Sequence, residues 1–344
     1  MTGTAPGPVP VAVLTGFLGA GKTTLLNRLL GAPAFAGTAV IVNEFGEVGI
    51  DHLLVEAVEG DMLVLTTGCI CCAARGDLLA AVEGLLARRA ELGFDRILIE
   101  TTGLADPGPV LNALLLGPAL AGTAAPSGVL TLVSAVDGGA TLDRHDEARR
   151  QVAMADRILV TKSDLAPEAV PGLWDRLAAL NPAAPVGDAR DAAPDLPLFR
   201  PGPAPRAAAA PHRHRHHAAD ARIRSVVLTA GTLEASALAA FVAELQRRHG
   251  AALLRLKGLA SLRHAPERPA VVQAVGHLLH PASSLDGWPE GERGTRLVAI
   301  LDGADPAEVA ALWDGFFGRP AIDRPDAAAL GGRHGGEGGA GLFA

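Results

Sequence analysis

The run Gly16-Phe17-Leu18-Gly19-Ala20-Gly21-Lys22-Thr23-Thr24 follows an apolar, strand-like stretch, Val11 to Thr15, and opens an apolar-faced stretch with helical spacing, Thr23 to Leu30. Strand, glycine loop and helix in this order fit the phosphate-binding P-loop, which works only when both of its ends are held in that way. Gly16, Gly19 and Gly21 let the backbone turn tightly, so that its N–H groups, with that of Ala20 between them, can face phosphate oxygens. The helix adds its positive N-terminal end. Lys22 is placed to reach the β- and γ-phosphates, the Thr23 hydroxyl to ligate Mg²⁺, and Thr24 to complete the binding set.

Around this loop the chain has the rhythm of an α/β fold. Short β-branched runs, VAVLT, AVIVN, MLVLTT, RILIE, VLTLVSAV and RILVTK, alternate with longer stretches of three- and four-residue apolar spacing. Helices are expected over 23–30, 77–92, 144–155 and 167–180. A three-layer P-loop NTPase domain with a mostly parallel sheet is expected over 9–187, after a short tail at 1–8. Pro, Ala, Arg and His then dominate 188–222, which reads as a linker. Periodicity returns over 223–325 with SVVLTA, LLRLKGLASL, AVVQAVGHLL, TRLVAILDG and helices over 233–249 and 306–317, a smaller α+β domain. The Gly-rich stretch 326–344 reads as a disordered tail.

Composition narrows the function classes. The hydrophobic fraction is 49% and mean hydropathy +0.27, but Ala, Gly and Pro supply much of that bulk and no run approaches a membrane span. A formal charge of -7 and 3% aromatic residues argue against a nucleic-acid surface. The N-terminus has no basic signal region, and the three cysteines, packed within four positions, suit a reducing compartment. A cytoplasmic protein with no membrane or nucleic-acid partner is expected.

Thr161-Lys162-Ser163-Asp164 follows the strand-like run at 157–160. A carboxylate at Asp164 can accept from guanine N1–H and N2–H₂ together while the Lys162 stem covers the base, so the segment favours GTP over ATP. Thr161 stands where the guanine motif usually carries Asn. Glu100 ends RILIE and precedes Thr101-Thr102-Gly103, a position from which an acid can hold Mg²⁺ or orient water; the alternative is an acid that caps the next helix. Lys22, Thr23 and Glu100 are the candidate catalytic residues. No Gln or Arg can be assigned as water-positioner or arginine finger, which predicts slow intrinsic hydrolysis.

Cys69, Cys71 and Cys72 are the whole thiol supply of the chain. Three thiolates in one tight loop can converge on a soft ion such as Zn²⁺ or Cu⁺, and with no fourth cysteine the site keeps an exchangeable position. A redox switch is the rival reading. Glu44 or Glu47, in NEFGEVG after the second strand-like run, could add a carboxylate or stand as a solvated loop acid; of the two, Glu47 is the candidate ligand. The tract from His212 to His217 could collect metal or form a basic linker. His277 and His280 could share a helix face, although ordinary core or surface histidines explain them better.

Taken together, GFLGAGKTT at 16–24, NEFGEVGID at 43–51, GCICC at 68–72, ETTGLADP at 100–107, QVAMADRILVTKSD at 151–164 and LLRLKG at 253–258 resemble the CobW-type P-loop GTPases, a metallochaperone family. The resemblance implies a GTPase domain, a metal-binding GCICC, a variable His-bearing linker and a CobW C-terminal domain. It implies a cycle with GTP, Mg²⁺ and Zn²⁺ in which zinc passes from the cysteine site to a client metalloprotein. Cobalt delivery for cobalamin synthesis, or a redox-regulated GTP switch, are the alternatives. Client identity and oligomeric state are not read from the sequence, and a homodimer is left open.

Overall fold

A computed structural model describes residues 7–43, 54–58, 62–67, 75–191, 222–280, 283–289 and 293–318. The first domain runs β1 (Val9–Gly16), α1 (Lys22–Leu30), β2 (Thr38–Asn43), β3 (Leu54–Val58), β4 (Met62–Thr67), α2 (Arg75–Ala87) and α3 (Arg89–Leu92). It continues with β5 (Arg96–Glu100), α4 (Pro107–Leu116), β6 (Ala124–Ser134), α5 (Gly138–Arg144), α6 (Asp146–Met154), β7 (Arg157–Thr161), α7 (Val170–Leu180) and β8 (Val186–Asp188).

The eight strands lie in the order β3-β4-β2-β5-β1-β6-β7-β8, and only β3 pairs antiparallel. Apolar alternation on the central strands feeds two cores. Val11 and Val13 of β1 face α2 and α4 together with Ile97 and Ile99, whereas Ala12 and Leu14 face Leu25, Leu26 and Leu29 of α1. A sheet buried on both faces explains why its strands read as near-continuous apolar runs.

Several features differ from the sequence expectation. Helix 77–92 is divided into α2 and α3, and helix 144–155 is α5 followed by α6, with extended His145 between them (φ -123°, ψ 117°). The helix α4, absent from the periodicity reading, is capped by Asp106, whose Oδ1 accepts from the Gly108 N–H at 2.8 Å. Asp188, assigned to the start of the linker, ends β8. The antiparallel edge strand β3 was likewise not among the strand-like runs.

The second domain comprises β9 (Ile223–Ala230), β10 (Thr232–Leu233), α8 (Ala235–His249), β11 (Leu253–Leu262), β12 (Ala270–Val275), β13 (Leu278–Leu279), β14 (Ser283–Ser284), β15 (Thr295–Asp302) and α9 (Pro306–Phe317). Its sheet is built on the antiparallel path β13-β12-β11-β15-β9. Leu297, Ala299 and Leu301 of β15 pack under α8 and α9 with Phe241 and Trp313, while Val298 and Ile300 turn the other way, onto Ala153 and Ala183 of the first domain. The second face of this sheet is therefore the domain interface. Gly258 of LLRLKG is required by close approach, since a Cβ there would lie 2.0 Å from the Arg296 carbonyl oxygen on the neighbouring strand. Among the described residues no helix is long and apolar enough to cross a membrane.

Candidate functional site

Parallel strands deliver their C-terminal ends to one edge of the first domain, and the sequence candidates collect there. Gly16 ends β1, Glu100 ends β5 and Thr161 ends β7. In the loop after β1, Gly19 and Gly21 hold φ values of 74° and 89°, a region that side-chain-bearing residues avoid. Gly21 is also the N-cap of α1, and no side chain caps that helix, which leaves its first N–H groups for an anion. Lys22, 9% exposed, turns its ammonium over the loop and donates to the Gly16 carbonyl at 2.9 Å and the Phe17 carbonyl at 3.4 Å.

Thr23 Oγ1 donates to Glu100 Oε1 at 3.5 Å. A hydroxyl and a carboxylate brought together beside the phosphate loop are the hard-oxygen donors that suit Mg²⁺. Because Asp106 caps α4, Glu100 is not spent on the helix that follows it. The segment after Glu100 is seated against the P-loop: Thr101 N–H donates to the Leu14 carbonyl at 2.9 Å, and a Cβ on Gly103 would lie 2.7 Å from the Leu18 nitrogen.

At the other flank, Thr161 Oγ1 donates to the Ala20 carbonyl at 2.8 Å, so the residue that departs from the usual Asn still ties the candidate guanine segment to the phosphate loop. Lys162 and Asp164 are exposed.

Sequence reasoning overlooked two side chains that shape this edge. Gln151, 1% exposed on α6, donates through Nε2 to the carbonyls of Gly103 and Ala105, each at 3.0 Å, and so fastens the segment after Glu100 from behind. Ser163 Oγ donates to Asp188 Oδ2 at 2.6 Å. A polar residue on an otherwise apolar helix face was the available signal for Gln151; nothing local marked Ser163.

The metal candidates Cys69, Cys71, Cys72, Glu44 and Glu47, and the tract from His212 to His217, lie outside the described residues. Among the described residues no group of three His, Cys, Asp or Glu side chains is placed to hold a metal. His277 and His280 do not share a helix face: they flank β13, the return strand of a β-hairpin with β12. The strand ends nonetheless constrain where the metal candidates begin. Asn43 and Thr67, the last described residues before segments 44–53 and 68–74, are register partners on β2 and β4, and Val42 pairs with Glu100 on the other side. Across the edge the order is Thr67, Asn43, Glu100, Gly16, Ser134, Thr161 and Asp188.

The family model for the CobW/HypB/UreG nucleotide-binding domain matches residues 10–187, and the model for the cobalamin synthesis protein cobW C-terminal domain matches residues 223–317. The chain is 44% identical over 181 residues to the zinc chaperone YjiA of Escherichia coli, a match that spans 52% of this chain and 57% of that one. It is 32% identical over 342 residues to the zinc chaperone CobW of Pseudomonas aeruginosa, covering 88% of this chain and 90% of that one. Among solved structures, Zn(II)-bound YjiA GTPase from E. coli superimposes with a TM-score of 0.70 at 29% identity, over 90% of this chain and 99% of that one. A P-loop domain and an antiparallel-sheet domain, joined in the order in which the two family models match, make this chain a member of the CobW/HypB/UreG family.

Proposed function

We propose that this chain is a GTP-hydrolysing metallochaperone that carries zinc on Cys69, Cys71 and Cys72, with Glu47 as a further ligand, and delivers it to a client metalloprotein. The observation that carries the reading is the order of strand ends. The strand that leads to the cysteines (β4) is separated from the strand that ends in Glu100 (β5) by β2 alone, the strand that leads to Glu44 and Glu47. At a strand spacing of about 4.8 Å, the cysteine-bearing segment starts roughly 10 Å from the Mg²⁺ candidates. Support also comes from relatives whose names describe zinc chaperones and a Zn(II)-bound GTPase.

In this reading the backbone N–H groups of Gly19, Ala20 and Gly21 and the start of α1 bind the phosphates, with Thr24 completing the set. Lys22 leaves the loop carbonyls for the β- and γ-phosphate oxygens and stabilises the charge that builds on them during transfer. Thr23 and Glu100 hold Mg²⁺, which neutralises phosphate charge when bound. Thr161 fixes the guanine segment to the loop, while Lys162 and Asp164 cover and read the base. On this proposal, loss of the γ-phosphate would release the loop around Glu44 to Asp51 and the segment after Glu100, and the cysteine site, which lies between them in sequence, would change affinity in step. Open thiolates belong in a reducing compartment, here the cytoplasm.

Zinc titrated against a chromophoric chelator, with apo, GDP-bound and non-hydrolysable-GTP-bound protein, tests the reading. A hundredfold difference in zinc affinity between nucleotide states corresponds to about 2.7 kcal/mol, within reach of a few rearranged hydrogen bonds. The expected result is a nucleotide-dependent affinity that disappears in Cys71→Ser while GTP binding is retained. Identical zinc affinities in all three states would overturn it.

A further inference from the structure

The segment Thr161 to Asp164 alternates between buried and exposed residues. Thr161 and Ser163 are 7% and 2% exposed, whereas Lys162 and Asp164 stand in the open. Each buried hydroxyl has a specific acceptor on a different part of the nucleotide edge: Thr161 on the Ala20 carbonyl in the phosphate loop, Ser163 on Asp188 at the end of β8. Between these two anchors Lys162 adopts φ 54°, the one left-handed residue other than glycine among the described residues. A β-carbon is disfavoured there, and such a conformation persists only where its surroundings impose it. The turn closes with the Leu165 N–H on the Lys162 carbonyl at 3.1 Å.

Asp188 is itself fixed from several sides. Its Oδ1 accepts from the Arg190 N–H at 2.8 Å and its Oδ2 from Arg190 Nη2 at 2.9 Å, and the next residue, Ala189, donates to the Val160 carbonyl at 2.8 Å. The Ala189 carbonyl accepts from Arg28 Nη2 of α1 at 2.5 Å. Arg190 and then Ser163 hold the Asp188 carboxyl at about 2, below the usual carboxylate range, so it is ionised at neutral pH. An ionised carboxylate only accepts, which forces the Ser163 hydroxyl to donate and fixes its direction. A strand of three residues at the sheet edge thereby supplies a fixed acceptor to a loop whose Lys162 and Asp164 stand exposed.

We propose that Ser163 and Asp188 are a positioning pair for guanine recognition: by clamping the buried side of the segment, they hold Lys162 in its left-handed turn and Asp164 at the angle needed to accept from both guanine N–H groups. The inference rests on the reading of Asp164 as the guanine acceptor. Ser163 is buried and Asp188 is engaged by Ser163 and Arg190, so the pair acts through Lys162 and Asp164.

The test is kcat/KM for GTP, inosine triphosphate and xanthosine triphosphate in the full chain and four variants. Inosine lacks the exocyclic amino group, so the GTP-to-inosine ratio reports the alignment of Asp164, and a general loss of fold leaves that ratio unmoved. Asp164→Asn is expected to transfer preference from GTP to xanthosine triphosphate, which checks the underlying reading by itself. Ser163→Ala and Asp188→Ala are expected to lower the GTP-to-inosine ratio by about tenfold, the scale of one lost hydrogen bond, through KM rather than kcat. Asp188→Asn keeps an acceptor and is expected to restore most of the ratio. If Asp164→Asn switches preference while Ser163→Ala and Asp188→Ala keep the wild-type ratio, the positioning pair is overturned. An Asp164→Asn variant with unchanged preference removes the guanine reading and the pair with it.

Discussion

The two ends of β7 do opposite work with charged side chains. Immediately before the strand, Asp156 accepts from Arg255 Nη2 at 2.6 Å, from Lys257 Nζ and from the Val129 N–H at 2.8 Å. Arg255 and Lys257 are 4% and 7% exposed, and both belong to the second domain. Immediately after the strand, Lys162 and Asp164 stand in the open on a strained turn. Charges buried against one another across a domain boundary fix geometry, and they are costly to separate because each loses its compensation. Charges held out on a constrained backbone keep their solvent and remain available to a ligand. The nucleotide edge and the domain interface are thus separated by the length of one strand, and the same sheet serves both.

If the interface end is structural, Asp156→Ala should cause the largest loss of stability. It would strand two buried cations, a change worth about 3–5 kcal/mol, seen as a fall in melting temperature and denaturation midpoint. Nucleotide affinity of the folded fraction should be kept. A loss below about 1 kcal/mol would mean that the cations are solvated and the contrast between the two ends is false.

Next in size is the pH dependence. Burial would raise the Asp156 carboxyl, but Arg255 and Lys257 overcome this and hold it well below its ordinary 3.8. With the folded value depressed, its contribution is present above 3.8 and is lost as pH falls below that. His280, desolvated and close to Arg255, is lowered from 6.5 to about 4, and its Nε2 has no hydrogen-bond partner among the described residues. The unfolded chain takes up that proton first, so stability falls as pH drops from 6.5 towards 4. At about 1.4 kcal/mol per unit, the cost reaches about 3 kcal/mol by pH 4. His280→Asn should flatten the higher window in pH-dependent urea denaturation and leave the loss below about pH 4, assigned to Asp156, in place. An unchanged slope between 4 and 6.5 in that variant would count against a neutral buried imidazole.

At the nucleotide end the effects should be on rate, with smaller effects on stability. A Cβ at Gly103 meets Leu18 atoms at 2.6 to 2.8 Å, so Gly103→Ala should push the segment after Glu100 away from the P-loop and reduce kcat. The overpacking cost is about 1–3 kcal/mol. Gly84, exposed in α2 with nothing within 4 Å of an added Cβ, is the control. Gly84→Ala should add about 0.5–1 kcal/mol of stability and leave kcat unchanged. Equal effects at both glycines would dissolve the distinction.

Much of the nucleotide edge was legible because local chemistry specifies it. Glycine spacing between a strand and a helix located the P-loop, and a residue ending an apolar run located Glu100 at the edge. Helix α9 was read with its observed bounds because Asp305 caps it and Pro306 opens it. The same signals in α4, Asp106 then Pro107, went unread, since Pro107 and Pro109 resemble breakers although proline is tolerated in a first turn. The interface was not legible. In LLRLKG the charged residues alternate with apolar ones as on a solvated strand face, and only the distant Asp156 shows that the face is buried. The Ser163–Asp188 contact is hidden for the same reason, because β8 is only three residues long and leaves no periodic trace.

The proposed function stands or falls on whether GTP hydrolysis at the P-loop edge drives release of zinc from the neighbouring cysteines. Zinc transfer from the loaded protein to a chromophoric chelator, followed after addition of GTP for the wild type and for Lys22→Ala, measures that coupling. Release should keep pace with phosphate production in the wild type and be absent both in Lys22→Ala and with a non-hydrolysable GTP analogue. Release at the same rate in all three would contradict the coupling.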